Sequence, residues 1–273
     1  MNKGLRSLLD VLLFVVMFIL IQFVVELGGS VIYGQYKSIP IQQVVQGMAS
    51  GSFSDLLAIC TVVSGVLTVL LFTLLKWAPV SRHWLRTRPW AVLFWVAMLS
   101  LGIILPAEWM YEKMQIVMPE STQVLFEGVM KEPWGYVAVG ILASIAEEIV
   151  FRGAVLRSLL NVFDVRWHWL PIVVSALIFA AIHMNLAQGV HAFVIGLLLG
   201  WMYYRTHSVI PGILLHWINN TIAYVLFNLM PQVSGGKLID LFSGNDRTMY
   251  MGLFFSLLIL LPSIFQLAIR MKR

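Results

Sequence analysis

Charge is what this chain has least of. Only 11% of its 273 residues are Asp, Glu, Lys or Arg, less than half of the ~25% found in ordinary soluble domains. That shortfall excludes a soluble globular protein. Cysteine is nearly missing too: Cys60 stands alone, so no intramolecular disulfide can staple an outer domain, and its place in an apolar run makes it a packing residue. Internal repeats of fixed period and low-complexity tracts are also lacking.

What is present is apolar. Hydrophobic residues make up 60% of the chain and the mean hydropathy is +0.87. A hydrocarbon core of ~30 Å takes about 20 helical residues to cross. Eight stretches approach or reach that length, at 8–28, 56–76, 90–106, 135–157, 171–187, 189–204, 208–230 and 249–269. They are continuously apolar and do not alternate, which favours helices over a barrel, because lipid requires each segment to satisfy its own backbone. The expected fold is all-α: a polytopic membrane protein with about eight transmembrane helices. It divides into 1–134, three helices and an outer segment; 135–230, a helical core; and 231–273, an outer loop and the last helix. The third span ends at Pro106, and little more than Gln188-Gly189 separates the fifth from the sixth.

The net charge of +5 does not imply nucleic acid, because the basic residues are sorted by side. With the N-terminus inside, only Lys37, Lys113, Lys131, Lys237 and Arg247 fall outside, and the other 13 of the 18 fall inside. This is the positive-inside pattern, with both termini cytoplasmic and the protein integral to the cell membrane. The inner loop 76–89 combines Arg82, Arg86 and Arg88 with Trp77 and Trp84, as a headgroup anchor does. Between Pro106 and Pro133 the chain is acidic, and Trp109, Met110, Met114 and Val117 space as in a short helix along the outer surface. No task attaches to the outer segments 107–134 and 231–248.

Against this background three charges in six residues need a reason, since each costs ~2.5–3.5 kcal/mol at mid-membrane. They lie in Ala146-Glu147-Glu148-Ile149-Val150-Phe151-Arg152-Gly153. Glu148 and Arg152, four apart, share a helix face and can neutralise each other. Glu147 is rotated away by about 100° and has no local partner, so it is the candidate general base. Phe179 and His183 share a face of the fifth span, with His183 roughly 18 Å deep at about 1.5 Å per residue. In the seventh, His216 and Asn220 share a face while Asn219 points away. Ser208 is a candidate N-cap for that helix. His168 and His191 read as interfacial or headgroup-level residues. An acid, two imidazoles and a carboxamide from three helices at matching depth suit hydrolysis by activated water, with a base for the proton and donors for the oxyanion.

Glu147-Glu148-x-x-x-Arg152, Phe179-x-x-x-His183 and His216-x-x-x-Asn220, in that order and each within an expected span, resemble the motifs of the CAAX protease and bacteriocin-processing family. These are intramembrane endopeptidases related to the type II CAAX prenyl protease. The resemblance covers roughly Gly135 to Phe227. It implies an eight-helix architecture with a cavity open toward the cytoplasm. Glu147 would activate water with His183, while His216 and Asn220 would stabilise the tetrahedral oxyanion and Glu148 and Arg152 would hold the motif in place. His183, His216 and Glu147 would also be an ordinary catalytic zinc set with one open position, and zinc or another divalent metal is the expected cofactor. The same residues could position water without a metal. A membrane-associated peptide or lipidated protein is the expected substrate and the bilayer the expected partner, with the oligomeric state left open. The competing readings are a proton-coupled transporter with Glu147, Glu148 and His183 as relay, and a non-catalytic scaffold or immunity protein. Polar residues confined to one half of the chain weigh against a transporter built from two related halves.

Overall fold

The computed structural model describes residues 3–80, 83–229 and 237–271. Arg82, Lys272 and Arg273 of the positive-inside count, and residues 230–236 of the last outer loop, lie outside these. All the regular structure among the described residues is helical, with no strand. In chain order the main helices are α1 Lys3–Lys37, α2 Ile41–Ala49, α3 Ser54–Leu74, α4 Trp90–Lys113, α5 Glu120–Lys131, α6 spanning 136–160, α7 Trp169–Ala181, α8 Leu186–Thr206, α9 Ile210–Leu229 and α10 Asp246–Arg270.

Six of these, α1, α3, α4, α8, α9 and α10, are long and apolar enough to cross a membrane. The other two expected spans take different forms. The one at 135–157 is α6, in which two runs of wide i→i+5 turns, Tyr136–Ala143 and Ile149–Leu156, flank α-helical turns at Ser144–Glu148 and Arg157–Leu160. Such π turns are rare and concentrate at functional positions. The one at 171–187 is α7, which stops at Ala181.

The break after α7 comes earlier than Gln188-Gly189 and has a local cause. Met184 takes a left-handed backbone conformation, φ 56°. Asn185 then caps α8: its Oδ1 accepts the Gln188 backbone N–H at 2.8 Å, while its Nδ2 donates to the His183 carbonyl at 2.8 Å and to Gln188 Oε1 at 2.7 Å. An Asn followed three residues later by Gln is a helix-start signature. His183 therefore sits in a turn just past α7 and not within a helix.

Two other expectations change. The third span does not end at Pro106, since α4 runs through it to Lys113. The surface helix expected around Trp109–Val117 is thus partly the end of α4, and the separate short helix is α5. The outer loop expected from 29 to 54 is mostly helical: α1 extends to Lys37, and α2 buries Val44 and Met48.

Large apolar side chains point outward along the long helices, such as Leu12 at 60% exposure and Phe254 at 59%. On a soluble surface a coat of this extent would be a liability; in lipid it is the solvated face. Inside, one cluster joins Phe14 and Phe18 of α1 and Phe72 of α3 to Val150, Phe151 and Val155 of α6. A second joins Val96 and Leu99 of α4 to Leu199 and Met202 of α8, Leu215 of α9 and Leu267 of α10. The buried polar residues described below lie between them.

Close packing of α4 on α10 depends on Gly102, whose carbonyl accepts the Ser256 hydroxyl at 2.9 Å. A Cβ there would come within 2.7 Å of the Leu260 backbone nitrogen. Gly102→Val should force the two helices apart at a cost of about 1–3 kcal/mol. Thermal unfolding in detergent should show the loss, and an unchanged transition would mean that this contact is not tight.

Candidate functional site

Arg152 is the largest wholly enclosed side chain, and its environment organises the site. Its Nη1 donates to Glu148 Oε1 at 2.7 Å, with both side chains at 1% exposure or less. Its Nη2 donates to the Gly196 carbonyl on α8 at 3.4 Å. The guanidinium also lies over the Phe179 ring, 4.5 Å from the centroid. The i,i+4 pair expected from spacing is thus formed, and it ties α6 to α7 and α8.

Glu148 has a second partner that spacing alone did not indicate. His216 on α9 brings Nδ1 to 3.3 Å from the same Oε1. A carboxylate only accepts, so Nδ1 carries the hydrogen and Nε2 is turned to Glu147, whose Oε2 stands 3.7 Å away. That separation exceeds a direct hydrogen bond and suits a bridging water. The other oxygen of Glu148, Oε2, is buried without a partner and packs on Gly212, where a Cβ would approach to 2.5 Å. Glycine at that point of α9 is what lets the helix close over the acid.

Phe179 is the hub of the site. The imidazoles of His183 and His216 both meet it edge-on, with centroids 5.1 Å and 5.9 Å away, while Arg152 covers its face. His183 donates Nδ1–H to the Phe179 carbonyl at 2.9 Å, leaving Nε2 without a hydrogen of its own. Asn220 donates to the Val139 carbonyl at 3.0 Å and to Ser144 Oγ at 3.3 Å, linking α9 to α6.

Glu147, His183, His216 and Asn220 all line one cavity of about 460 Å³. Glu148 and Arg152 lie behind the wall. Two residues read differently from the sequence also line it. His191, read as a headgroup-level residue, stands on the cavity wall with Nε2 3.3 Å from Asn219 Nδ2. Asn219 does not point away, and its amide also donates to Asn220 Oδ1 at 3.3 Å. A rotation of about 100° separates neighbours on a helix but does not carry one of them out of a broad cavity. The available signal was His191's place in the first turns of α8, beside a break that the Asn185 cap marks.

The cavity also has a side. It takes Val139, Ala143 and Glu147 from the first half of α6, and Gln188 and His191 from the start of α8. From α4 it takes the C-terminal half, Ile103 to Tyr111, and from α9 the residues from His216 to Leu226, and Met118 and Phe126 complete it. In this up-and-down bundle these ends share one face, opposite the face that carries Lys3, Trp77, Asn161, His207 and Met271.

The expected zinc set does not assemble in this geometry. Among the described residues no three His, Cys, Asp or Glu side chains are grouped so as to hold a metal ion. Glu147 Oε2 and His216 Nε2 stand 3.7 Å apart, and His183, its Nδ1–H held by the Phe179 carbonyl, keeps Nε2 open.

Residues 130–222 match the family described as Type II CAAX prenyl endopeptidase Rce1-like, a match that contains all three motifs. No curated protein and no solved structure matches the chain.

The two adjacent glutamates should part company under mutation. Glu148→Ala strands a buried guanidinium and should cost about 3–5 kcal/mol, whereas Glu147→Gln, on the cavity wall, should leave unfolding within about 0.5 kcal/mol of wild type. Thermal melts in the same detergent compare them, and equal losses would place both acids in the structural role.

Proposed function

We propose that this chain, whose match to the Rce1-like family supports membership of the CAAX protease and bacteriocin-processing family, is an intramembrane endopeptidase that hydrolyses a membrane-associated or lipidated peptide. One observation carries the finer reading: Glu147, His183, His216 and Asn220 share the wall of a single cavity inside an apolar bundle. In this reading α6 and α7 complete eight crossings and the protein sits in the cell membrane.

Glu147 is the base. A water held between its carboxylate and the free Nε2 of His183 gives Glu147 its proton and attacks the scissile carbonyl, and Glu147 passes that proton to the departing amine. Positioned proton transfer of this kind contributes about 10²–10⁴-fold. His216, having taken a second proton from bulk water before the substrate binds, donates Nε2–H to the developing oxyanion, and the Glu148 carboxylate at Nδ1 holds the ring in that direction. Asn220 supplies a further donor by exchanging its 3.3 Å contact with Ser144 for the substrate oxygen. Arg152 fixes Glu148, and through it His216. No step uses a metal. The family match does not favour a transporter, and no feature of the cavity calls for a second reading.

Glu147→Gln should abolish hydrolysis of reporter peptides by the purified protein, and Asn220→Ala should lower kcat by about 10²–10³-fold. Retained turnover in Glu147→Gln would remove Glu147 as the base, and wild-type protein that hydrolyses nothing would leave the scaffold reading in its place. Metal dependence is checked separately: protein stripped with a strong chelator and shown to be metal-free should keep its activity. Loss that zinc alone restores would show that His183 swings in to complete a three-donor set when substrate binds.

A further inference from the structure

We propose that His191 and Asn219 are positioning residues for the oxyanion donor: together they hold the Asn220 carboxamide so that its NH2 group, and not its oxygen, is offered to the substrate. The inference rests on the hydrolytic reading above and adds two residues to it. Neither is named by the three motifs. Asn219 is an unspecified position between His216 and Asn220, and His191 lies between the second motif and the third.

The hydrogen bonds that join these residues have one consistent polarity. The Val139 carbonyl can only accept, so the atom of Asn220 that stands 3.0 Å from it is Nδ2. The other end of that amide, Oδ1, then faces Asn219, which supplies Nδ2–H at 3.3 Å. The same Nδ2 of Asn219 stands 3.3 Å from His191 Nε2, so this nitrogen accepts and the His191 ring carries its hydrogen on Nδ1. Turning either amide over would set oxygen against oxygen, at Val139 or between the two asparagines. One backbone carbonyl of α6 thereby fixes the direction of every bond as far as α8.

That direction matters at the moment of reaction. Ser144 Oγ spends its own hydrogen on the Gly140 carbonyl at 2.9 Å and accepts from Asn220 at 3.3 Å, the bond that Asn220 yields to the substrate oxygen. From then on Val139 holds the nitrogen end of the amide, and Asn219 holds the oxygen end. Without Asn219, Oδ1 is an unpaired acceptor on a cavity wall, and the amide is free to rotate until its oxygen meets the developing negative charge, which repels it. An engaged Oδ1 also polarises the amide and strengthens its N–H, since linked hydrogen bonds reinforce one another. His191 acts one step further back: by taking the other hydrogen of Asn219 it leaves that amide a single orientation. His191 is itself well placed to do so, on the second turn of α8 behind the Asn185 cap.

Turnover of reporter peptides by the purified protein tests the arrangement. His191→Leu and Asn219→Leu remove the acceptor and the donor, and each should lower kcat about tenfold with KM within about twofold of wild type, a smaller loss than removing an oxyanion donor itself. His191→Gln, whose side-chain oxygen reaches the place of Nε2, should recover kcat to within about threefold of wild type. In an Asn220→Ala background, His191→Leu should change kcat by less than about twofold, because residues that act through one another are not additive. Should the leucine variants fail to accumulate, Asn219→Asp replaces them: at unchanged shape it sets an oxygen against Asn220 Oδ1 and should lose kcat by at least about tenfold. Wild-type kcat in the Asn219 variant, a glutamine at 191 no better than leucine, or a full loss retained in the Asn220→Ala background overturns the proposal. Nitrogen NMR of ring-labelled histidine reads the same chain without hydrolysis. The His191 signal, identified by its loss in His191→Gln, should show the hydrogen on Nδ1, and a hydrogen on Nε2 overturns the proposal. Wild-type protein that hydrolyses nothing would remove the enzymatic reading, while the NMR measurement would still decide the polarity.

Discussion

The ion pair of Glu148 with Arg152 is the constraint on which the rest of the structure turns. Two full charges are enclosed with at most 1% exposure, and enclosure is tolerable only when each charge is paired and further contacts hold the pair. Those partners come from each of the helices around the site: the Gly196 carbonyl on α8, the face of Phe179 on α7 and the imidazole of His216 on α9. Satisfying one buried pair therefore fixes four helices relative to each other. It also aims His216 at Glu147, the neighbouring acid left on the open side of the wall.

Adjacent carboxylates thus receive opposite environments from the same helix. Glu148 shares Oε1 between Arg152 and His216 and buries Oε2 against Gly212, while Glu147 lines the cavity with a histidine nitrogen 3.7 Å away. Separation of a holding acid from a working acid is a recurring solution wherever catalysis needs a free carboxylate near fixed charge. The wide turns on either side of Ser144–Glu148 favour the arrangement. With more than 3.6 residues to a revolution, positions four apart fall nearly one above another, so Val139, Ala143 and Glu147 make a continuous stripe.

Small residues are where helices come close enough to make the site. Gly212 lets α9 lie on Glu148, Gly196 brings its carbonyl within reach of Arg152, and Gly102 seats α10 against α4. In lipid there is no hydrophobic drive between helices, and such contacts together with buried hydrogen bonds supply the cohesion.

Composition and spacing alone determined that the chain is helical and membrane-embedded, that Glu148 and Arg152 pair, and that Glu147 stands apart. Each of these follows from local rules, namely transfer cost per residue and the 100° step of a helix, which need no knowledge of neighbours. Only the tertiary structure decided that Glu148 also holds His216 and that His191 and Asn219 join the cavity. Contacts between helices far apart in the chain depend on which faces meet, and no periodicity along one helix encodes that. The place of the cavity belongs to the same class: each motif was read from its own helix, and only the packed bundle shows which residues of α4, α6, α8 and α9 meet around one space.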